Sequence, residues 1–363
     1  MTPLDQPARA DVAASEPPQR HRVNLPTVTL AHGGGGQAMR DLIDGVFLDA
    51  FQAPALKEMS DAASIALKDL AAHGDRLAFT TDSFVVDPLF FPGGDIGKLA
   101  VCGTVNDLAV SGARPLYLTC AVILEEGLPI ETLRRVAQSM AAAAEEAGVA
   151  IVTGDTKVVG HGACDKMFVN TAGIGVIAPG LTLGAERARP GDVVLVNGLL
   201  GDHGATILNA RGELALTTPI ESDCAALHDL IATVKAASPN LRFLRDATRG
   251  GLATVLNEVA ESAGVGIEVT EAAVPIRDEV KGFCEILGLD PLYLANEGKI
   301  VCIVPEAEAD AALRAMHAHR HGAAAAAIGR VTDRRPGRVV MRTVLGGHRI
   351  VDMLVGEQLP RIC

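Results

Sequence analysis

Aromatic residues are scarce in this sequence. There is no Trp, and Phe, Tyr and Trp together make up 3% of the 363 residues. Proteins that bind single-stranded nucleic acid stack bases on aromatic rings, and a formal net charge of -12 repels a phosphate backbone. The composition therefore argues against a nucleic-acid partner.

Long apolar runs and paired cysteines are also missing. No run of about 18 apolar residues occurs, so we expect no membrane span. The seven cysteines are an odd number without a C-x-x-C pair, which favours neither a disulfide framework nor a zinc cage. The first 24 residues lack the apolar core of a secretory signal, and we therefore expect a cytoplasmic protein.

The length and the hydrophobic pattern predict two domains. Hydrophobic residues make up 48% of the chain, and short β-branched runs alternate with Ala-rich stretches, which indicates an α/β (α+β) fold. We divide the chain into a disordered lead-in (1–24), an amino-terminal domain (25–180), a carboxy-terminal α/β domain (181–345) and a flexible tail (346–363). Turn-forming residues between Pro179 and Pro190 place the domain boundary.

Individual elements follow from the same periodicities. The expected strands are Thr27–Leu30, Leu77–Thr81, Leu116–Ile123, Ala150–Thr153, Val169–Ile177, Val193–Val196, Ile267–Val269, Ile300–Val304 and two near Val339 and Ile350. The expected helices are Gln37–Phe51, Ile96–Ser111, Ile130–Ala147, Gly204–Arg211, Leu227–Ala237, Arg249–Ala263 and Ala307–Arg320.

Four aspartates of the first half stand where apolar segments end or helices turn. They are Asp61, Asp82, Asp107 and Asp155. Mg²⁺ prefers carboxylate and phosphate oxygens, and strand ends can converge such groups on one point. Asp is also a common turn residue and helix cap, which explains any one of the four alone. Taken together, the four predict a metal site beside a nucleotide.

A glycine-rich stretch, Gly33, Gly34, Gly35 and Gly36, lies between an expected strand and an expected helix. Its backbone amides could approach a phosphate closely, or the stretch could be an ordinary flexible loop. With Ala38 it also matches the dinucleotide pattern G-x-G-x-x-A, but no strand ending in an acidic residue follows about 20 residues later. A Walker A loop is absent, because Gly97-Lys98 is followed by Leu99.

Further polar residues stand beside turns and expected strand ends. Lys157 follows Asp155 closely and could act as a charge clamp or a base, although most lysines are merely solvated. Asp246 opens a helix, where capping alone would explain it, and Glu297 precedes a strand, where it could meet a thiol. His317, His319 and His321 fit a solvated helix face better than a metal site.

Cys363 is the last residue of the sequence. A thiol at the end of a segment that contains Gly346, Gly347 and Pro360 could travel between active sites as a carrier. Its position does not match a prenylation signal, which places the cysteine fourth from the end. An accidental terminal cysteine is the alternative when the residue is considered alone.

Several motifs together resemble one family. They are His-Gly-Gly-Gly-Gly from His32, Thr-Thr-Asp-Ser-Phe-Val-Val-Asp-Pro from Thr80, Gly-Lys-Leu-Ala-Val-Cys-Gly-Thr-Val-Asn-Asp-Leu-Ala from Gly97, Thr-Gly-Asp-Thr-Lys-Val-Val from Thr153, Asp-Ala-Thr-Arg-Gly-Gly-Leu from Asp246 and the terminal Pro-Arg-Ile-Cys. From about Thr29 to Cys363 the chain is similar to the HypE family of hydrogenase-maturation proteins. That family belongs to the aminoimidazole ribonucleotide synthetase-like (PurM-like) superfamily.

The resemblance implies a function and a set of site residues. HypF would place a carbamoyl group on Cys363, and ATP with Mg²⁺ would drive its dehydration to a thiocyanate. The HypC–HypD complex would then accept the cyanide for the iron of a [NiFe] hydrogenase. The resemblance implies a homodimer, catalysis by Cys363, Lys157 and Glu297, nucleotide contacts from Gly33, Gly34, Gly35, Gly36, Lys98, Asn106 and Asp246, and Mg²⁺ on Asp61, Asp82, Asp107 and Asp155.

Three other functions remain open at this point. The first is another ATP-using member of the superfamily, such as a selenophosphate synthetase or a thiamine-phosphate kinase, which would lack the terminal carrier cysteine. The second is a nucleotide-binding scaffold in which Cys363 is inert. The third is an NAD-binding oxidoreductase, supported only by the partial glycine pattern.

Overall fold

A computed structural model describes residues 23, 25–58, 62–212, 219–354, 356 and 361–363. Two predictions therefore lie outside the described residues: the lead-in, apart from Val23, and the metal ligand Asp61. Within the described part of the chain, no helix has the length and apolar character needed to cross a bilayer.

The first domain is built on a four-stranded sheet. Its strands are β1 (Arg76–Phe84), β4 (Ala113–Glu125), β5 (Ala150–Val159) and β6 (Met167–Ile177), in the spatial order β1-β6-β4-β5. The pairs are antiparallel except for β4 and β5. A short hairpin, β2 (Phe90–Phe91) and β3 (Gly94–Asp95), follows β1. The helices are α1 (Gln37–Leu42), α2 (Leu48–Ala50), α3 (Leu67–Ala71), α4 (Ile96–Val110) and α5 (Ile130–Ala147).

The second domain is built on a seven-stranded sheet. Its strands are β7 (Val193–Val196), β8 (Phe243–Asp246), β9 (Gly266–Thr270), β10 (Ile300–Val304), β11 (Ala326–Thr332), β12 (Val339–Arg342) and β13 (His348–Val351). Their spatial order is β13-β12-β9-β11-β7-β10-β8. The helices are α6 (Asp202–Ala210), α7 (His228–Ala237), α8 (Gly251–Ala263), α9 (Asp278–Leu287) and α10 (Glu306–His317). All residues of β7 and β10 are buried, as expected for strands covered on both faces.

Helix α4 lies at the junction of the two domains. Asp95 caps its start by accepting hydrogen bonds from the amides of Gly97 and Lys98. Most residues of the helix are buried on all sides, which fits its uniformly apolar sequence. One side packs on α5 and the first sheet, and the other packs on α7 and β8. The position of α4 brings the inner face of the first sheet close to the second domain.

Two predictions of local structure were wrong. Thr27–Leu30 is not a strand, because only Thr27 forms a bridge, with Pro129, and the chain turns into a 3-10 helix at Leu30. The glycine-rich loop therefore follows a short 3-10 helix, Leu30–Gly33. The strand predicted near Ile350 is β13, which pairs antiparallel with β12 in the second sheet, so the predicted flexible tail does not begin at residue 346.

Candidate functional site

Carboxylates gather between the inner face of the first sheet and α4. Asp82 lies on β1, and Asp107 of α4 accepts a hydrogen bond from the Thr80 hydroxyl at 2.8 Å. Burial raises the pKa of Asp107, and the nearby charge of Asp82 raises it further, against the hydrogen bond from Thr80. Asp82 and Asp107, two of the predicted metal residues, are therefore neighbours.

The second domain adds two acidic residues to this group. Desolvation raises the pKa of Asp246, at the end of β8, to about 7, with contributions from the charges of Asp107 and Asp82. Burial, followed by the charges of Asp246 and Asp223, raises the pKa of Glu297 well above its usual value. We call Asp82, Asp107, Asp246 and Glu297 the acidic cluster; repulsion among its members favours a bound cation.

The acidic cluster has little positive charge of its own. Arg249 lies 3.6 Å from Asp82, and its side chain is 66% exposed. Within the described ranges, no three Asp, Glu, His or Cys residues are arranged to ligate one metal ion together. Mg²⁺ is commonly held by one or two carboxylates together with substrate phosphates and waters, so a pair such as Asp82 and Asp107 fits a metal that arrives with a nucleotide.

Asp155 and Lys157 lie on the other face of the sheet. In the strand register Asp155 pairs with Ala121 and Lys157 with Ile123, on the exposed side of β4. The ammonium of Lys157 lies 2.8 Å from Asp155, and this hydrogen bond lowers the pKa of the Asp155 carboxyl. The structure therefore does not bring Asp155 together with Asp82 and Asp107.

The glycine-rich loop packs against β5, close to Lys157. A Cβ on Gly33 would lie 2.9 Å from the amide nitrogen of Val158, so that position requires glycine. Gly35 has a left-handed φ of +76°, and a Cβ added to Gly35 or to Gly36 would meet no atom within 4 Å. The loop thus presents open backbone beside the strand that carries the lysine.

A cavity of about 420 Å³ lies between this strand and the first helices. Its lining includes the apolar rings of Phe47 and Phe51 and the polar residues Asp155 and Thr156. A mixed apolar and polar lining of this volume is typical of a small-molecule site.

Asn106 and Lys98 make contacts that differ from their predicted role. The Asn106 amide donates to the carbonyls of Ala225 and Glu297 and accepts from the amide of Leu227. We therefore assign Asn106 to the junction between the domains and not to nucleotide binding. The Lys98 ammonium donates to the carbonyl of Gly93 at 3.0 Å, at the start of α4.

Glu297 is 4% exposed, and its Oε1 atom has no hydrogen-bond partner. Its backbone amide donates to Asp223, whose carboxylate also forms a buried ion pair with Lys299 at 2.9 Å. Lys299 stabilises the charge of Asp223, and the charge of Arg249 only partly offsets the burial that raises the pKa of Glu297. A buried carboxyl with an unsatisfied oxygen is suited to exchange a proton with a ligand.

The end of the chain is held in a cleft between the domains. Ile362 is 3% exposed and Cys363 is 8% exposed, and both belong to the hydrophobic core of the first domain. Residues 222–226 connect this end of the chain to Glu297. The Ser222 hydroxyl bonds to His203, which bonds to Ile362, and the amide of Ala225 donates to the carbonyl of Glu297. The structure thus places the predicted carrier close to the junction that holds the acidic cluster.

Sequence reasoning missed the residues that hold this end, namely Val85, His203 and Arg211. The one available signal was a histidine in a Gly-Asp-His-Gly run before a helix. His203 and Ile362 are separated by 159 positions in the sequence, so no local pattern indicates their contact. The prediction of a solvated helix face holds for His317, which is exposed. Its Nδ1 atom lies 3.3 Å from the carbonyl oxygen of Ala323.

Comparison with known proteins identifies the same two domains. The AIR synthase related family matches in two parts, its N-terminal domain at residues 59–177 and its C-terminal domain at residues 189–342. These matches confirm the predicted two-domain α/β fold. The interval between them contains the predicted domain boundary.

Individual relatives are similar over nearly the whole chain. A protein of Rhodobacter capsulatus named carbamoyl dehydratase HypE is 65% identical over 336 residues, which are 93% of this chain and 98% of the relative. A crystal structure of hydrogenase maturation protein HypE in complex with ATP is 52% identical, with a TM-score of 0.88, over 93% of this chain and all of that one. The corresponding chain of a HypE–HypF complex is 47% identical, with a TM-score of 0.74, over 88% of this chain and all of that one.

Proposed function

Since the chain belongs to the HypE family of carbamoyl dehydratases, which act in hydrogenase maturation, we propose that its own Cys363 carries the carbamoyl group to be dehydrated. The observation that supports this assignment is the burial of Cys363 in the cleft between the domains. Membership in this family also removes the kinase, scaffold and oxidoreductase alternatives.

The reaction can be written with the residues at hand. The carbamoyl group on the thiol is a thiocarbamate, S–C(=O)–NH₂. Its oxygen attacks the terminal phosphorus of ATP, ADP leaves, and the oxygen becomes a phosphate ester and hence a good leaving group. One nitrogen proton goes to a base, the other leaves with the phosphate as the C–O bond breaks, and S–C≡N remains.

We propose Glu297 as the acceptor of one nitrogen proton. Its Oε1 atom is buried and has no partner, and its raised pKa makes the ionised form a strong base. The neighbouring Arg249 favours that ionised form. Cys363 is then the covalent carrier, and Glu297 performs the proton transfer that completes the nitrile.

Mg²⁺ fits the chemistry of the acidic cluster. Burial, and after it the charges of the neighbouring carboxylates, raises the pKa values of Asp107, Asp246 and Glu297, and a divalent cation would relieve the repulsion. Asp82 and Asp107 would hold the ion together with the phosphates of ATP, and the nearby Asp246 would add to the negative charge around it. The ion would supply charge stabilisation for the transferred phosphoryl group.

For ATP we propose a position beside β5. The Gly34 amide donates to the carbonyl of Ala31, so the amides of Gly35 and Gly36 would face phosphate, and the adjoining cavity would receive the base. Lys157 and Asp155 lie on the same strand, and the lysine would stabilise the charge of the phosphoryl group.

A homodimer resolves a problem of distance within one chain. Lys157 is on β5, whereas Cys363 contacts Val85 just after β1; the two strands lie three spacings apart, about 14 Å. The outer face of the first sheet exposes apolar side chains, and Phe79 is 69% exposed. We propose that two chains pair through this face, so that the glycine-rich loop and Lys157 of one chain serve the acidic cluster and Cys363 of the other.

HypF is the partner that loads the carrier, as supported by the similarity to a chain of a HypE–HypF complex. We propose that the HypC–HypD complex accepts the cyanide. The carrier function requires a reduced thiol at Cys363, and we therefore propose that the protein acts in the cytoplasm.

The test is the mass of the carboxy-terminal peptide after incubation with HypF, carbamoyl phosphate and ATP. We expect a carbamoyl adduct on Cys363 that is replaced by a nitrile only when ATP and Mg²⁺ are present. The matched control is Cys284→Ala, which removes a buried thiol of α9 and should behave like the parent. A nitrile on another cysteine, or none on Cys363, would refute the carrier assignment.

A further inference from the structure

The final residues contact the first domain through backbone and side chain. The amide of Val85 donates to a main-chain oxygen of Cys363 at 3.0 Å. The guanidinium of Arg361 donates to the carbonyl of Val85 at 3.1 Å and forms an ion pair with Asp165. These contacts align the end of the chain with the segment that follows β1.

The second domain holds the same residues from the opposite side. Arg211, just after α6, donates to the carbonyl of Arg361 at 2.8 Å. His203, in the first turn of α6, bonds to the carbonyl of Ile362 through Nε2 at 2.8 Å. Each of residues 361–363 therefore has a main-chain oxygen that accepts a hydrogen bond from another part of the protein. The cleft holds the end of the chain mainly through these main-chain oxygens.

The protonation of His203 follows from its partners. A carbonyl oxygen only accepts, so the proton must be on Nε2, and Nε2 donates to Ile362. The amide of Cys224 donates to the Ser222 hydroxyl at 3.2 Å, which leaves the hydroxyl hydrogen for Nδ1 of His203 at 2.8 Å. One chain of hydrogen bonds thus runs from the backbone of Cys224 to the backbone of Ile362.

The surroundings keep His203 neutral and in place. Its side chain is fully buried, and burial lowers its pKa, against the charge of Asp223 and the hydrogen bond to Ile362. The edge of the Phe91 ring packs on the imidazole with centroids 5.6 Å apart. Nothing in this arrangement leaves a nitrogen of His203 available for acid–base chemistry on the thiol.

We propose that His203 is the latch that holds the carrier end in the cleft, a positioning residue for the dehydration proposed above. Its hydrogen bond fixes the peptide plane between Ile362 and Cys363, and so it directs the thiol. The net contribution of one neutral buried hydrogen bond is modest, so the bond favours the docked end and still lets it leave for loading. The hydrogen bond between His203 and Ile362 stands by itself, whereas the purpose of the latch rests on the proposed function.

The first test measures release of the end without ATP or any partner. His203→Leu removes the donor, whereas His203→Gln retains an NH₂ group at the reach of Nε2. We expect iodoacetamide to label Cys363 about fivefold to tenfold faster in His203→Leu than in the parent, with most of the increase absent in His203→Gln. The control is His319→Leu, which removes a histidine that pairs with Asp229 away from the cleft.

Mass spectrometry of each cysteine peptide separates release from unfolding. Faster labelling confined to Cys363 supports the latch, and unchanged labelling of Cys363 in a folded His203→Leu protein overturns it. If all seven cysteines react in that variant, Ser222→Ala decides, because it keeps the imidazole of His203 and removes the hydroxyl that bonds to its Nδ1 atom. Ser222→Ala should speed the labelling of Cys363 alone, and labelling at the parent rate would overturn the latch.

A stability cycle gives a second, independent measurement. Removal of Ile362 and Cys363 should lower the melting temperature of the parent more than that of His203→Leu, because the latch has nothing to hold in the variant. Equal losses in both backgrounds would contradict the coupling. Neither test depends on turnover, so the latch can fail while the carbamoyl dehydration stands, and the reverse.

Discussion

At the scale of single residues, Glu297 differs from an ordinary buried carboxyl because its Oε1 atom has no partner. Glu297→Gln retains the shape and removes the base. We expect Cys363 to accept the carbamoyl group normally and the dehydration to slow by about 10²- to 10⁴-fold, the usual contribution of a positioned base. The mass of the terminal peptide reports both steps, and nitrile formation at the parent rate would exclude Glu297 as the base.

Replacement of Asp107 should affect stability and metal binding in opposite directions. Asp107→Asn removes a charge that raises the pKa of Asp246, so the protein without ligand should melt at a higher temperature at neutral pH. The same change should weaken Mg²⁺-dependent ATP binding by about tenfold or more. Calorimetry with Asp310→Asn as the surface control measures both, and a variant that melts lower yet binds Mg-ATP like the parent would contradict the acidic cluster as the metal site.

His203 predicts a pH dependence of stability. Its pKa in the folded protein is lowered, chiefly by burial, whereas in the unfolded chain it is about 6.5. The unfolded chain therefore binds more protons just below that value, so this residue's contribution to stability is complete above it and is lost as the pH falls. Between about pH 8 and about pH 5, the melting temperature of His203→Gln should fall less than that of the parent. Parallel curves would show that His203 does not titrate on unfolding.

At the scale of elements, two glycines of one loop should respond differently. Gly33→Ala places a methyl group 2.9 Å from the backbone of Val158 and should destabilise the protein by about 1–3 kcal/mol. Gly36→Ala meets open space and should leave the melting temperature nearly unchanged while it weakens ATP binding. Denaturant unfolding and ATP titration of the pair separate the two effects. A Gly36→Ala protein that binds ATP like the parent would move the phosphates elsewhere.

Long periodic elements could be predicted from the sequence. Helix α5 ends at Ala147 as expected, because Gly148 takes the left-handed conformation that closes a helix. Strand β8 and helix α9 were not expected; β8 has only four residues, and its pairing with β10 depends on contacts far along the chain. Strand β11 begins in an Ala-rich stretch whose local preference is helical, and pairing with β7 overrides that preference.

The candidate site was predictable in its residue types and less so in its grouping. Motifs indicated Asp82, Asp107 and Asp155 together, but side chains alternate across a strand, and the register places Asp155 on the opposite face. Register is set by pairing partners, which one sequence does not reveal. Asn106 looks like a ligand residue in its motif but bonds the two domains together. Its partners are more than 100 residues away in the sequence, so a local motif does not reveal them.

At the scale of the whole molecule, the proposed dimer predicts complementation. Lys157→Ala and Cys363→Ala should each be inactive alone, because one lacks the cation and the other lacks the carrier. Mixed dimers should regain turnover, since one of their two sites combines an intact Lys157 with an intact Cys363. Mass spectrometry of the terminal peptide measures the recovery, with Phe79→Asp added to both chains as the control that prevents pairing. No recovery in verified mixed dimers would place both residues of a site in one chain.

The packing of helix α4 against both domains determines how the chain can fold. The helix belongs to the first domain by sequence, yet its buried surface is completed by α7 and β8 of the second. A fragment ending near residue 180 would expose that apolar side to water, and the complementary fragment would expose the groove that receives it. The two halves are therefore domains by topology but a single cooperative unit in folding, and neither could be exchanged between proteins without the other.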